Sequence, residues 1–188
     1  THAGFTVERA EPLPEISGCA YVMRHDATGA RVMWLACADS NKAFAISFKT
    51  PPANDTGVFH ILEHSVLCGS DRFPVKEPFV HLLKSSMQTF LNALTFPDKT
   101  MYPVASTNDR DLENLMDIYL DAVLHPAIYR RQRIFEQEGW HYEVDASRAD
   151  APLTLNGVVY NEMKGALSTP EEILINGMMR SLFGQSPY

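Results

Sequence analysis

The chain has 188 residues, 45% of them apolar and 21% charged, which reads as soluble and globular, with room for one domain and a real core. Its net charge of −7, from 16 basic and 23 acidic residues, disfavours nucleic acid as a partner and is compatible with a cationic peptide substrate. Cys19, Cys37 and Cys68 are scattered without a C-x-x-C, so no disulfide framework is implied and a reducing compartment is favoured over secretion.

Residues 5–48 read as strands. Gly18–His25, Ala30–Ala38 and Ala43–Lys49 are apolar-rich runs, with a hairpin turn over residues 26–29 between the first two. Residues 51–55, Pro-Pro-Ala-Asn-Asp, break the pattern. Helices dominate afterwards, so the fold class is α+β rather than an alternating parallel fold. No repeat, low-complexity segment, signal peptide or membrane span is legible, and Thr1 is read as the start of a processed chain.

Residues 57–69, Gly-Val-Phe-His-Ile-Leu-Glu-His-Ser-Val-Leu-Cys-Gly, read as a buried helix, with Thr56 as N-cap and Gly69 as its left-handed stop. Its polar groups are His60, Glu63, His64 and Ser65. His60 and His64 stand one above the other at i and i+4, and Glu63 lies beside them. Two such imidazoles can aim ring nitrogens at one divalent ion, at about 2.0–2.1 Å if it is zinc. A neighbouring carboxylate can then take a proton from water activated by the ion. The alternative is three polar residues satisfied by hydrogen bonds on an ordinary helix.

A loop over residues 70–76 leads to a short helix opening at Glu77-Pro78 and running through Phe79, Leu82 and Leu83. Residues 86–96 read as one strand. Residues 100–106 form another, in which Pro103 suggests an edge or a bulge. Leu112, Leu115, Met116, Tyr119, Leu120, Val123 and Leu124 give a helix over Asp109–Leu124, started by Asn108 and ended before Pro126. A further helix covers 129–138, closed by Gly139, and 140–144 returns as a strand. Residues 156–168 form the next helix, with Val158, Glu162 and Ala166 in one row. Glu162 therefore sits on or beside the apolar face, semi-buried, and needs a cation. That cation is Lys164, an arginine, or a metal at His60 and His64. Residues 171–183 read as helical. His2, His81, His125 and His141 are read as surface or helix-end residues, Cys68 as a buried helix-end thiol, and the methionines as core filler.

Four segments, residues 60–70 (His-Ile-Leu-Glu-His-Ser-Val-Leu-Cys-Gly-Ser), 90–95 (Phe-Leu-Asn-Ala-Leu-Thr), 137–140 (Gln-Glu-Gly-Trp) and 159–165 (Val-Tyr-Asn-Glu-Met-Lys-Gly), run in family order. They resemble the M16 insulinase/pitrilysin metallopeptidases, more narrowly the presequence protease branch. The resemblance implies an antiparallel sheet with helices packed on it. It implies one zinc ion held by His60, His64 and Glu162, with Glu63 as general base in the inverzincin order. It also implies that Asn92, Ala93 and Leu94 belong to a sheet-edge strand that pairs with substrate. Where some relatives carry a second acidic residue, this chain has Leu155, and no role is carried over to it. The expected protein is an endopeptidase acting on unstructured, presequence-like peptides, with no nucleic-acid or membrane partner. The chain is expected to be the N-terminal part of the first, zinc-binding peptidase domain. The C-terminal half of its parent is then its missing partner, and the chain alone is inactive. The compartment is expected to be the bacterial cytoplasm, or alternatively the mitochondrial matrix. Two other readings stand beside this one: a non-catalytic M16 structural subunit, and a metal-dependent lyase of the LuxS type, which shares H-x-x-E-H but needs a downstream cysteine ligand.

Overall fold

The computed structural model describes residues 3–75, 78–148, 150–184 and 186. His2, Lys76 and Glu77 lie outside the described residues. The chain divides into two compact units, Thr1–Ser40 and Asn41–Tyr188.

The first unit is a three-stranded antiparallel sheet in the order β1-β2-β3, with β1 at Phe5–Leu13, β2 at Gly18–His25 and β3 at Arg31–Ala36. The turn over 26–29 forms as expected: Gly29 N–H donates to His25 C=O and His25 N–H to Ala30 C=O, both at 2.8 Å. Tyr21 and Trp34 face each other across β2 and β3, their rings stacked at 5.3 Å. Strand β3 stops at Ala36, two residues short of the expected run.

The second unit is built on an antiparallel sheet whose central strand is β7 (Lys99–Ser106). On one side lies β4 (Lys42–Lys49); on the other lie β5 (Gln88–Leu91) and β6 (Leu94–Thr95), end to end. Residues 86–96 are thus two short strands, and Pro103 sits in the central strand rather than at an edge. One observation explains both. Asn92 N–H donates to Pro103 C=O (3.1 Å), but the return bond has no donor, because proline lacks an N–H. The Asn92 carbonyl instead accepts from the Tyr119 hydroxyl (3.3 Å), and the edge strand interrupts there.

Tyr102 and Val104, two apart on one face of β7, join Leu91, Val66 and the pair Leu115 and Tyr119 in the core. Val66 comes from α1 (Val58–Val66); Leu115 and Tyr119 come from α3 (Asp109–Leu124). The α3 start signal holds, since the Asn108 side chain accepts from Asp111 N–H at 3.0 Å. The cap expected at Thr56 does not form. Thr56 is engaged with Asn54, and Gly57, with φ of 70°, occupies the cap position of α1. Gly69 is left-handed as expected, beyond the Leu67 cap.

The remaining elements are α2 (Pro78–Ser85), α4 (Gln132–Glu138), β8 (His141–Glu143), β9 (Thr154–Asn156), α5 (Val158–Ala166) and α6 (Pro170–Phe183). Strand β9, unforeseen in the sequence, pairs with β8. The expected helix over 129–138 starts later: Tyr129 ends a 3-10 turn, Ala127–Tyr129, and α4 begins at Gln132. The methionines do not fill the core: Met33, Met87 and Met178 are exposed. The architecture is α+β, antiparallel sheets with helices.

Candidate functional site

Helix α1 rests on β6 and β7 and against α4 and α5, which turns its polar patch toward α5. His60 and His64 stand one turn apart and meet edge to face, ring centroids 4.9 Å apart and planes at 73°. Across from them, Glu162 of α5 presents one oxygen to each: Oε1 lies 3.6 Å from His60 Nε2, and Oε2 lies 3.7 Å from His64 Nε2. One ligand atom from each of the three residues falls within 4.8 Å of the others.

These separations are long for hydrogen bonds. They suit two donors that share an ion, since neighbouring ligands of a tetrahedral zinc with about 2.0–2.1 Å bonds stand about 3.3 Å apart. Two imidazoles, one carboxylate and an open position also match the donor set of a catalytic zinc site. The three residues therefore fit the metal that the resemblance implies.

Glu63, on the same helix, is only 6% exposed and lines the same cleft without belonging to the three-residue cluster. Its charge acts on Tyr102: burial chiefly, and then Glu63, push the tyrosine hydroxyl well above its ordinary range. Glu162 departs from expectation. Its side chain is 53% exposed, not semi-buried, because α5 buries only Val159 and leaves Glu162 on the open cleft.

The cleft encloses about 510 Å³. Leu67, Phe79, Val80, Asn92, Ala93, Leu94 and Thr95 line it beside the polar cluster. Leu94 pairs with Met101 of β7, Asn92 and Ala93 form the break between β5 and β6, and the Asn92 side chain accepts from Ala93 N–H (2.9 Å). Beyond β5 and β6 the sheet has no further strand among the described residues.

One residue of the site has no precedent in the spacing analysis. Glu138, the last residue of α4 and 7% exposed, places Oε2 3.4 Å from His64 Nδ1, the ring nitrogen turned away from Glu162. Gln137 Nε2 donates to its other oxygen at 2.9 Å. The hydrogen bond to Glu138 is the main cause holding His64 above its ordinary pKa, against the lowering effect of burial. In return the bond to His64, with Cys68 and Gln137 contributing, holds Glu138 below the usual carboxylate range despite its burial. Cys68, half-buried rather than fully buried, also donates from Sγ to the His64 carbonyl (3.5 Å). Glu138 lies 74 residues from His64, so no local pattern links them; its place in the Gln-Glu-Gly-Trp segment was the one available signal.

Residues 49–173 match the family model described as Insulinase (Peptidase family M16), two thirds of the chain. The chain belongs to the M16 insulinase family of peptidases. It is 54% identical over 187 residues to "Protein HypA" of Clostridium perfringens, covering 100% of this chain and 19% of that protein. It is 49% identical to presequence protease 1, chloroplastic/mitochondrial, of Arabidopsis thaliana, and 43% identical to the mitochondrial presequence protease of Mus musculus. Each of those two alignments covers 98% of this chain, and 17% and 18% of the respective protein. The chain thus spans about a fifth or less of the length of these relatives. A crystal structure of pitrilysin shares the fold, with a TM-score of 0.58 at 20% identity, covering 70% of this chain and 15% of that one. Family membership sets aside the LuxS-type lyase reading. No helix among the described residues is long and apolar enough to cross a membrane.

Proposed function

We propose that the protein is a zinc-dependent endopeptidase that cuts unstructured peptides. The observation that carries this reading is the convergence of His60, His64 and Glu162 on one point beside the buried carboxylate of Glu63. His60, His64 and Glu162 would hold one zinc ion. When bound, zinc supplies a Lewis acid and a water whose pKa is lowered to about 7. Glu63 accepts the proton of the attacking water on a carboxylate oxygen and passes it to the leaving amine. Its burial, at 6% exposed, keeps bulk water from competing for that proton. The edge formed by β5 and β6 receives the peptide as an added strand, with Asn92, Ala93 and Leu94 alongside the scissile bond. Main-chain pairing reads little sequence, which favours extended peptides of broad composition. The names of the mitochondrial relatives support presequence-like peptides as the substrate class.

Residues 1–188 are, in this reading, the N-terminal part of the first peptidase domain. Further substrate contacts come from the rest of a longer chain, and the isolated piece hydrolyses peptides negligibly, because placed donors and water exclusion carry the transition state. The bacterial relative supports a bacterial cytoplasm; the mitochondrial ones leave the matrix as the alternative. Glu63→Gln in the intact protein tests the reading. Zinc content stays at one per chain and peptide cleavage is lost. Substantial turnover by the zinc-replete variant removes Glu63 from the base role. A wild-type protein that binds zinc and cleaves no peptide supports the non-catalytic reading instead.

A further inference from the structure

We propose that the apolar face of the β8–β9 hairpin seats a segment of the intact chain outside residues 1–188, an inference that rests on the longer-chain reading above and not on the zinc. Tyr142 and Leu155 pair across the hairpin and so share one face. Trp140 joins them, its ring edge to face with that of Tyr142 at 5.8 Å. Val144 and Leu153, each two residues further along, continue the same face by alternation. Every one of these side chains is exposed. The residues of the opposite face are polar and bond one another: Asn156 Nδ2 donates to Glu143 Oε2 at 2.9 Å, and Thr154 Oγ1 to the Glu143 carbonyl at 3.1 Å.

A two-stranded hairpin is at best marginally stable by itself, and a contiguous exposed apolar patch marks an interaction surface. The Phe135 ring of α4 extends the patch, edge to face with Trp140 at 6.1 Å. Phe135, Trp140, Tyr142 and Val158 of α5 line one hollow of about 940 Å³. Arg133 and Glu136 add charge of both signs to its wall, which suits an apolar segment flanked by polar residues better than a peptide of one charge. The matched region is 17–19% of the length of its relatives, so more than four fifths of each lies outside it. A segment of the same chain reaches the hollow at an effective concentration that a second copy does not. The seat bears on the site because the hairpin leads straight into α5. Asn156 Oδ1 accepts from Gly157 N–H at 2.9 Å and from Asn161 Nδ2 at 2.7 Å, which ties β9 to the start of the helix that carries Glu162.

The test is photo-cross-linking of the intact protein carrying Tyr142→p-benzoylphenylalanine or, separately, Leu153→p-benzoylphenylalanine, read by peptide mass spectrometry. The expected product joins either position to a peptide of the same chain outside residues 1–188, in a yield that dilution leaves unchanged. Cross-linked dimers make the occupant a second copy. Links formed only with added peptide substrate make the face a substrate-binding surface. Either result overturns the proposal, and so do links confined to residues 1–188 or no links at all. Should both variants fail to fold, hydroxyl-radical oxidation of the unsubstituted intact protein decides. Trp140 and Tyr142 are expected to escape oxidation there, and oxidation as fast as in the denatured protein overturns the inference. A natural protein with the mass of these 188 residues alone overturns the longer-chain reading and this inference with it, whereas a protein that binds no zinc overturns the metal reading and leaves this one standing.

Discussion

The two helices that carry the candidate ligands are held in different ways. Helix α1 buries Ile61, Glu63, Ser65 and Val66 and hands Val66 to the core of the sheet. Helix α5 buries only Val159, leaves Glu162 exposed, and is tied in mainly through its N-terminal end. There, Gly157 presses on the backbone of the α4–β8 corner so closely that a Cβ would meet Gly139 O at 2.2 Å and Trp140 Cα at 2.7 Å. The pair of histidines is therefore part of the core's rigidity. The third candidate ligand sits on a lightly held arm, placed mainly by the contacts of its N-terminal end.

The largest expected effect breaks this comparison at its ligands. His60→Ala or His64→Ala removes stoichiometric zinc altogether, measured by metal analysis after dialysis. Glu162→Gln also weakens binding strongly, but excess zinc restores occupancy, because the rigid histidine pair remains. Occupancy in Glu162→Gln equal to wild type at limiting zinc shows that another residue is the third ligand.

Two glycines of the α5 segment sharpen it further. Gly157→Ala must displace backbone, so the α5 arm shifts and zinc affinity falls by tenfold or more, on the scale of losing an outer-shell partner. Gly165→Ala, at a position with nothing within 4 Å, leaves zinc affinity unchanged and stabilises the helix by about 0.5–1 kcal/mol. Equal zinc affinity in both variants means that α5 is not placed by the Gly157 contact.

A pH titration separates the metal-free from the metal-bound protein. His64 is raised above its ordinary 6.5 and Glu138 lowered below its ordinary 4.5, each by the other. In the metal-free protein the charged pair contributes stability that is complete below 6.5 for the histidine and above 4.5 for the glutamate. It is lost as pH rises through the raised His64 value, and again as pH falls through the lowered Glu138 value. Zinc binding runs the other way over the upper limb, strengthening as His64 loses its proton. Thermal unfolding against pH with and without zinc checks both slopes, and Glu138→Gln flattens the metal-free curve.

The smallest effect lies at the sheet edge. Tyr119→Phe removes the hydroxyl that serves the Asn92 carbonyl, costing about 0.5–1.5 kcal/mol and loosening the break between β5 and β6. Amide exchange at Asn92 and Ala93 reports it; unchanged protection there means that the hydroxyl does not hold the break.

The sequence made the chemistry of α1 legible, because i and i+4 spacing is local and places His60 and His64 on one face without help from the fold. Long amphipathic α3 was legible for the same reason, down to its Asn108 cap. What escaped depends on distant partners. Pro103 reads as an edge residue only while its missing donor is unmatched, and the Tyr119 hydroxyl that serves its partner comes from α3. Thr56 has the right chemistry for a cap, but Asn54 engages it first. Glu162 reads as semi-buried from its row on α5, yet burial there is decided by how little packs on that helix. Glu138 touches His64 only after α4 docks on α1.

Anomalous diffraction at the zinc edge from a crystal of the intact protein, grown with zinc, addresses the central claim. The expected result is one strong peak at about 2.0–2.2 Å from His60 Nε2, His64 Nε2 and a Glu162 carboxylate oxygen, with Glu63 and Glu138 outside bonding distance. A peak bonded to Glu63 or Glu138 in place of Glu162, or no peak between α1 and α5, contradicts the account.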